Sequence, residues 1–307
     1  GRRGGRIGDV ARCGAAGHLA QNGFSIMIWV WGALLVWGSL WLVNVRLANS
    51  ALSRHLAVRV VIPVLFGFSI LVLWEGLVRG LDVSQVILPP PSQVASVFVS
   101  SLDLLWIDFV QTVLRGALRG FLIGAVAALI VAFLIDRSSF LTRGLLPIGN
   151  FVAALPIVGI APILVNWFGF DWQSKAAVVV VMVFFPILVN TVQGLRETDK
   201  IQRDLMQTYA SGYFQTLIKL RLPAAMPFVF NGLKIATTLA LIGAIVAEYF
   251  GSPTRGMGFR ISTGVGSLSI DLVWAEIFVA ALAGSAFYGL VAWIEKRVTF
   301  WHPSQRG

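Results

Sequence analysis

The chain has 307 residues, 57% of them hydrophobic and 12% charged, and its mean hydropathy of +0.82 is too high for a soluble domain to cover its own surface. A formal charge of +10 would suit a nucleic-acid partner, but in a multispanning chain Lys and Arg gather in cytoplasmic loops and set orientation, so no nucleic acid is expected. The single cysteine, Cys13, and the three scattered histidines, His18, His55 and His302, argue against a disulfide framework, a metal site and the clustered groups of a membrane-embedded enzyme.

In chain order, residues 1–23 form a polar Gly/Arg/Ala-rich stretch without periodicity, read as a disordered tail. The chain opens on Gly1, and Met27 is a candidate natural start. Residues 24–45 are apolar enough to cross a bilayer, which takes about 20 residues, and they end in no small-residue cleavage site. The rest, residues 46–307, is expected to form a six-span domain, with spans at Val60–Val78, Val113–Ile135, Leu145–Phe168, Ala176–Gly194, Gly232–Phe250 and Leu272–Ile294.

Charge alternates between the segments joining these spans. Arg46, Arg54 and Arg59 precede the first of the six, Arg137 and Arg143 follow the second, Arg196 to Arg221 follow the fourth, and Lys296 and Arg297 follow the sixth. Both ends of the six-helix core, the C-terminus included, are therefore expected in the cytoplasm. If residues 24–45 also span, Arg2, Arg3, Arg6 and Arg12 land outside against the rule, so that run either lies flat or re-enters, or the bias of the other helices overrides the tail.

Small residues every fourth position, Gly116, Gly120 and Gly124 in the second core span and Ala281, Ser285 and Gly289 in the last, predict close helix packing in lipid. Pro156, Pro162 and Pro186 are expected to interrupt two other spans, and "LPPPS" from Leu88 to Ser92 reads as a rigid extended lead-in to a short extracytoplasmic helix.

The stretch "DLMQTYASGYFQTLIKLRLPAAMP", Asp204 to Pro227, differs from its surroundings. Its apolar residues Leu205, Met206, Tyr209, Tyr213, Phe214, Leu217 and Leu220 recur at helical spacing, and Asp204, Gln207, Thr208, Ser211, Gln215 and Lys219 take the other face. A single amphipathic cytoplasmic helix from Asp204 to Lys219 is predicted, with the chain turning at Pro223 and Pro227. Gly212 costs helix propensity in its middle. The alternative is a helix lying on the membrane surface, for which one lysine on the polar face is a weak match to anionic lipid.

These residues resemble the cytoplasmic coupling motif of bacterial ABC-importer permeases: EAA, three residues, G, nine residues, I-x-L-P. Leu222 and Pro223 fall on the terminal pair, Leu220 on the Ile, Ala210 on the Gly and Asp204-Leu205-Met206 on EAA. Ala210 departs from the signature glycine, with Gly212 two positions later as a substitute source of flexibility. "VILPPPSQV", "RGLLPIGNFVAALPIVGIAPILVNWFGF" and the block from "LRLPAAMPFVFNGLKIA" to "AEYFGSPTRGMGF" are similar to the nitrate/sulfonate/taurine branch of these permeases. The resemblance implies an all-α integral membrane protein: a six-helix type I ABC-importer permease core, with 24–45 as one extra N-terminal hydrophobic segment and a coupling helix at about 204–223.

The resemblance further implies a subunit of the bacterial inner membrane that moves a small solute inward, either a sulfonate-, taurine- or nitrate-like anion or a pyrimidine- or riboflavin-type heterocycle. Two copies of a separate ABC ATPase would supply the energy and an extracytoplasmic solute-binding protein would deliver the solute. No phosphate-cradling Gly-rich loop precedes any of the five lysines, so ATP and Mg are expected on the partner, not on this chain, which is not expected to be an enzyme. Tyr209, Tyr213 and Phe214 would anchor the coupling segment in a groove of the ATPase, with Asp204, Ala210, Ser211, Gly212, Leu220, Leu222 and Pro223 shaping it. A bundle without an internal repeat needs a second copy to enclose a path, so a homodimer is expected.

Polar residues within apolar spans mark a candidate solute path: Asn150, Asn166, Asn190 and Glu248. The plainer readings are an ion pair of Glu248 with Arg255 or Arg260 and helix-end hydrogen bonds for the asparagines. Arg115 and Arg119 would either draw in an anion or snorkel to headgroups. The rival class is an ion-gradient-driven secondary transporter or channel, which would be expected to show paired broken helices in corresponding halves.

Overall fold

The computed structural model describes residues 28–50, 55–251 and 254–301. The tail assigned to residues 1–23, with Cys13 and His18, lies outside the described residues, as does His302. Regular structure among the described residues is helical throughout. The chain divides into two compact units, residues 1–100 with 268–275, and residues 101–267 with 276–307.

In the first unit, α1 (Ile28–Asn49) and α2 (Leu56–Gly80) are each long and apolar enough to cross a membrane. They run antiparallel in close contact. A Cβ on Gly76 would fall 2.1 Å from that of Ala33, and one on Gly80 would meet Trp29 and Val30, while the rings of Trp41 and Phe66 lie 5.7 Å apart. These contacts make α1 and α2 an antiparallel helical hairpin. Pro91 then opens α3 (Pro91–Ser100), where its missing N–H costs nothing, as the proline-rich lead-in predicts. Glu75 accepts the Ser92 amide at 2.9 Å and Arg79 donates to the Ser92 hydroxyl at 2.9 Å, so a polar knot ties α2 to the start of α3.

In the second unit, α4 (Leu102–Arg137), α7 (Trp172–Arg196) and α9 (Tyr213–Gly251) form the core. From Glu276 onward α11 (Ile270–Val298) belongs to it, while its first residues belong to the first unit. At 1.5 Å per residue α4 and α9 reach roughly 54 and 58 Å, well beyond the ~30 Å hydrocarbon thickness, so both project past it. The central helix is α7. A Cβ on Gly120 of α4 would lie 2.5 Å from that of Val179, and one on Gly124 2.4 Å from Val183. On the other side Gly232 of α9 sits against Ile187 and Asn190, and Gly243 against Val179 and Met182. Buried alanines, including Ala117, Ala128, Ala132, Ala236, Ala240 and Ala244, extend these contacts. Where lipid is the solvent, such backbone approach supplies the packing. The row Ala281, Ser285 and Gly289 on α11 is instead exposed, and nothing lies within 4 Å of a Cβ on Gly289.

Three sequence expectations need correction. The span Leu145–Phe168 is two short helices, α5 (Ser139–Ala153) and α6 (Ile157–Phe168), broken where Pro156 supplies an extended residue at the start of α6. Pro162 and Pro186 do not interrupt: each lies inside a continuous helix, and the Asn190 side chain donates to the Pro186 carbonyl at 2.8 Å. Pro223 and Pro227 also lie inside a helix, not at turns. Pro223 follows a wide π-helical segment, Leu217–Arg221, in which the Leu222 amide bonds five residues back to Leu217, so its missing N–H falls where the ladder changes register.

Because Gly120 meets Val179 at backbone distance, Gly120→Val is expected to destabilise the protein by about 1–3 kcal/mol. This can be read as a lower unfolding midpoint in detergent, and Val179→Ala in the same chain should restore most of the loss.

Candidate functional site

Two polar clusters sit at opposite ends of the long helices. At one end, a segment in which no residue from Lys200 onward is buried joins α7 to α9. Its first part is α8 (Lys200–Thr208), opened by a capping box in which the Asp199 amide donates to Gln202. The predicted single helix does not continue. Ala210 adopts φ +52°, its amide bonds to Gln207 at 2.8 Å, and the Ser211 amide bonds to Met206 at 3.0 Å. That pair of bonds is the Schellman end of a helix, whose left-handed position is normally glycine. Ala210 therefore occupies the position that demands glycine, while Gly212, offered above as a source of flexibility, has an ordinary extended conformation at φ −71°. The Ser211 hydroxyl closes the corner, donating to Met206 at 2.7 Å and lying 3.0 Å from that of Thr216.

This corner separates the residues that sequence reasoning put together. Tyr209 is 76% exposed and Phe214 63%, alongside exposed Ile201, Leu205 and Ile218, a row of large apolar groups outside the bundle. Tyr213, 36% exposed, reaches back to the bundle through its hydroxyl, which donates to Asp136 Oδ2 at 2.7 Å. The same carboxylate takes a forked pair from Arg221, Nη1 to Oδ2 at 2.8 Å and Nη2 to Oδ1 at 2.6 Å. Arg221 also donates through Nε and Nη2 to the Leu195 carbonyl at 3.1 and 2.8 Å. Arg137 stands over the Tyr213 and Phe214 rings, 5.2 and 5.8 Å from their centroids. Asp204 lies on α8, and Leu220, Leu222 and Pro223 are half-buried around the π-helical segment.

At the other end, Glu248 of α9 is fully buried. Thr112 donates to its Oε2 at 2.6 Å and the Gly258 amide at 3.2 Å. Three successive amides opening α10 (Met257–Gly266) are spent on this node: Gly256 on Asp108 at 2.6 Å, Met257 on the Thr112 hydroxyl at 2.8 Å, and Gly258 on Glu248. Arg260 pairs with Asp108 at 2.9 Å, not with Glu248. Thr112 belongs to a second π-helical segment, Val110–Ala117 of α4, and such wide turns recur at functional positions. Gly256, at φ +118°, has no room for a Cβ beside the Glu248 carboxylate, and on Gly258 one would come within 2.0 Å of the Ile245 carbonyl oxygen. Lys175 and Glu276 are buried nearby.

The four path candidates are not brought together. Asn150 is in the last turn of α5 and Asn166 is exposed on α6. Asn190 accepts from Asn231 of α9 at 3.0 Å, roughly 25 Å along that helix from Glu248, and Lys234 beside Asn231 pairs with Glu295 at 2.7 Å. Arg115 and Arg119 are exposed on α4, Arg119 stacking over Trp172 at 5.3 Å. Sequence reasoning missed Asp136, Arg221, Asp108 and Thr112, because their partners lie 26 to 152 positions away. The available signal was a charged residue at each end of the second span, on a chain with few charges.

Residues 120–300 match the family described as the binding-protein-dependent transport system inner membrane component. Among individual relatives, a probable ABC transporter permease of Haemophilus influenzae is 32% identical, over 78% of this chain and 97% of its own. The formylaminopyrimidine transport permease of Halalkalibacterium halodurans is 29% identical over 79% and 96%, and the taurine transport system permease of Escherichia coli 27% over 76% and 86%.

The left-handed Ala210 predicts that Ala210→Gly stabilises the protein by about 0.5–1 kcal/mol, the relief of a left-handed alanine less the chain entropy of a glycine. Gly212→Ala should be neutral, whereas Gly258→Ala should cost about 3 kcal/mol or more by forcing the backbones of α9 and α10 apart. Thermal unfolding in detergent ranks the three.

Proposed function

The chain belongs to the binding-protein-dependent transport system inner membrane component family, and on that premise we propose that it is the transmembrane permease subunit of an ATP-driven importer. The observation that carries this reading is the corner at Ala210. It holds Tyr209 and Phe214, with Ile201, Leu205 and Ile218, exposed around the turn from α8 into the first residues of α9, which is the form of a helix-in-groove ligand. A pair of ABC ATPases would receive these residues from two copies of the chain, supply ATP and Mg, and rock the bundles between inward- and outward-open states. The charge bias of the connecting segments supports a cytoplasmic position for this corner and the C-terminus, with the Glu248 node then facing outward, toward an extracytoplasmic solute-binding protein.

The solute belongs to one of two classes, small sulfonate-, taurine- or nitrate-like anions or pyrimidine- and riboflavin-type heterocycles. The named relatives span both, taurine on one side and formylaminopyrimidine on the other. Glu248 is closed in by Thr112 and the α10 amides, which supports a bracing role for it at the outer end. Asn190 with Asn231 offers the polar pair at which a path between two copies would run.

The test is isolation from native membranes in mild detergent, with companion subunits read by mass spectrometry. An ABC ATPase is expected with the wild type. Tyr209→Asp with Phe214→Asp should lower its recovery at least tenfold, since each interface anchor contributes about 2 kcal/mol or more. Uptake that survives loss of every ATPase and collapses with the proton or sodium gradient would instead establish the ion-driven class.

A further inference from the structure

No residue from Lys200 to Arg221 is fully buried, so packing carries its displacement into the bundle poorly. Two routes remain, the continuous backbone, into α7 at one end and α9 at the other, and side-chain bonds to other helices. The described bonds of the second kind converge on two helix ends. Asp136 and Arg137 close α4, and Asp136 receives both Tyr213 and Arg221. Leu195 is in the last turn of α7, and its carbonyl receives Arg221 twice.

We infer that Arg221 and Asp136 are positioning residues that pass movement of the coupling corner to α4 and α7; this rests on the importer reading. Arg221 suits the task by its chemistry. Its planar fork fits the carboxylate in a fixed orientation, and the remaining donors hold a carbonyl that the helix end leaves without an intrahelical partner. The two side chains are 14% and 8% exposed, so water competes little for the pair, and a pair so shielded resists separation. The wide turn Leu217–Arg221 presents the guanidinium to both acceptors. Tyr213 then tethers the corner to the bundle from within, and the outward residues Tyr209 and Phe214 meet the ATPase. Since α4 and α7 are locked together by Gly120, Gly124, Val179 and Val183, a pull on this one guanidinium moves α4 with the core as well as the two helices that the backbone joins to the corner.

The experiment uses the full importer in a Cys13→Ser background with Gln173→Cys as reporter, an exposed position at the far end of α7. The rate of its alkylation by a membrane-impermeant maleimide is compared without nucleotide and after trapping with ATP and vanadate. The wild type is expected to bring down its ATPase and to change rate about fivefold or more, the lower range of allosteric coupling. Arg221→Gln and Asp136→Asn should retain the ATPase and its hydrolysis while the nucleotide-dependent change collapses. Arg221→Lys, which keeps the charge without the fork, should give an intermediate response and serves if Arg221→Gln does not fold.

An undiminished response in the variants overturns the inference, as does loss of the ATPase from them, because the pair would then only shape the docking surface. A wild type that recruits no ATPase overturns the importer reading itself, and the inference with it.

Discussion

Backbone-to-backbone contact along α7 is the constraint on which the second unit rests. Apolar side chains gain little from meeting one another when the surrounding lipid is equally apolar, so helices must be held by close van der Waals approach. Gly120 and Gly124 from one side and Gly232 and Gly243 from the other bring α4 and α9 within reach of α7, where Val179, Val183 and Ile187 fill the remaining space. A core of this kind slides poorly, since valine branches sit in glycine notches, and it moves as a block.

Rigidity in the middle gives the two ends their significance. Both long helices outrun the hydrocarbon, so their ends can carry charge. There the chain places a clamp of Asp136, Arg221 and Tyr213 at one end and a node of Asp108, Thr112 and Glu248 at the other. Each cluster includes a residue from a π-helical segment, Arg221 in one and Thr112 in the other. An extra residue in a turn re-aims a side chain without ending the helix, which lets α4 and α9 remain continuous while directing one polar group sideways. Glycine does the complementary work at the second node, where Gly256 and Gly258 let a backbone loop close on a carboxylate.

Ala210 shows how a motif can be followed in geometry while departing in letter. The chain turns as a glycine would, at φ +52°, because two amides find carbonyls there and the corner is closed by Ser211. The strain is local and small against that set of bonds. Such a corner exposes Tyr209 and Phe214 on the outside and leaves Tyr213 free to turn in.

Much of this was legible in the sequence. Hydropathy and length determined a helical membrane protein and most of its long apolar helices, because lipid leaves the backbone no partner but its own helix. Four-residue spacing of Gly116, Gly120 and Gly124 marked a packing face, and the amphipathic spacing from Asp204 onward marked a segment unlike the apolar helices around it. Only the tertiary structure decided which prolines break helices, that 145–168 is two helices, and that α1 runs alongside α2. It alone paired Arg221 with Asp136, turned Tyr213 inward, and enclosed Glu248 with Thr112 and Gly258, separating residues that periodicity had placed on one face. The physical reason is range. Periodicity and hydropathy report what a residue does with its near neighbours and its solvent, whereas a polar group in a low-dielectric interior is governed by whichever partner the fold brings within 3 Å, at any distance along the chain.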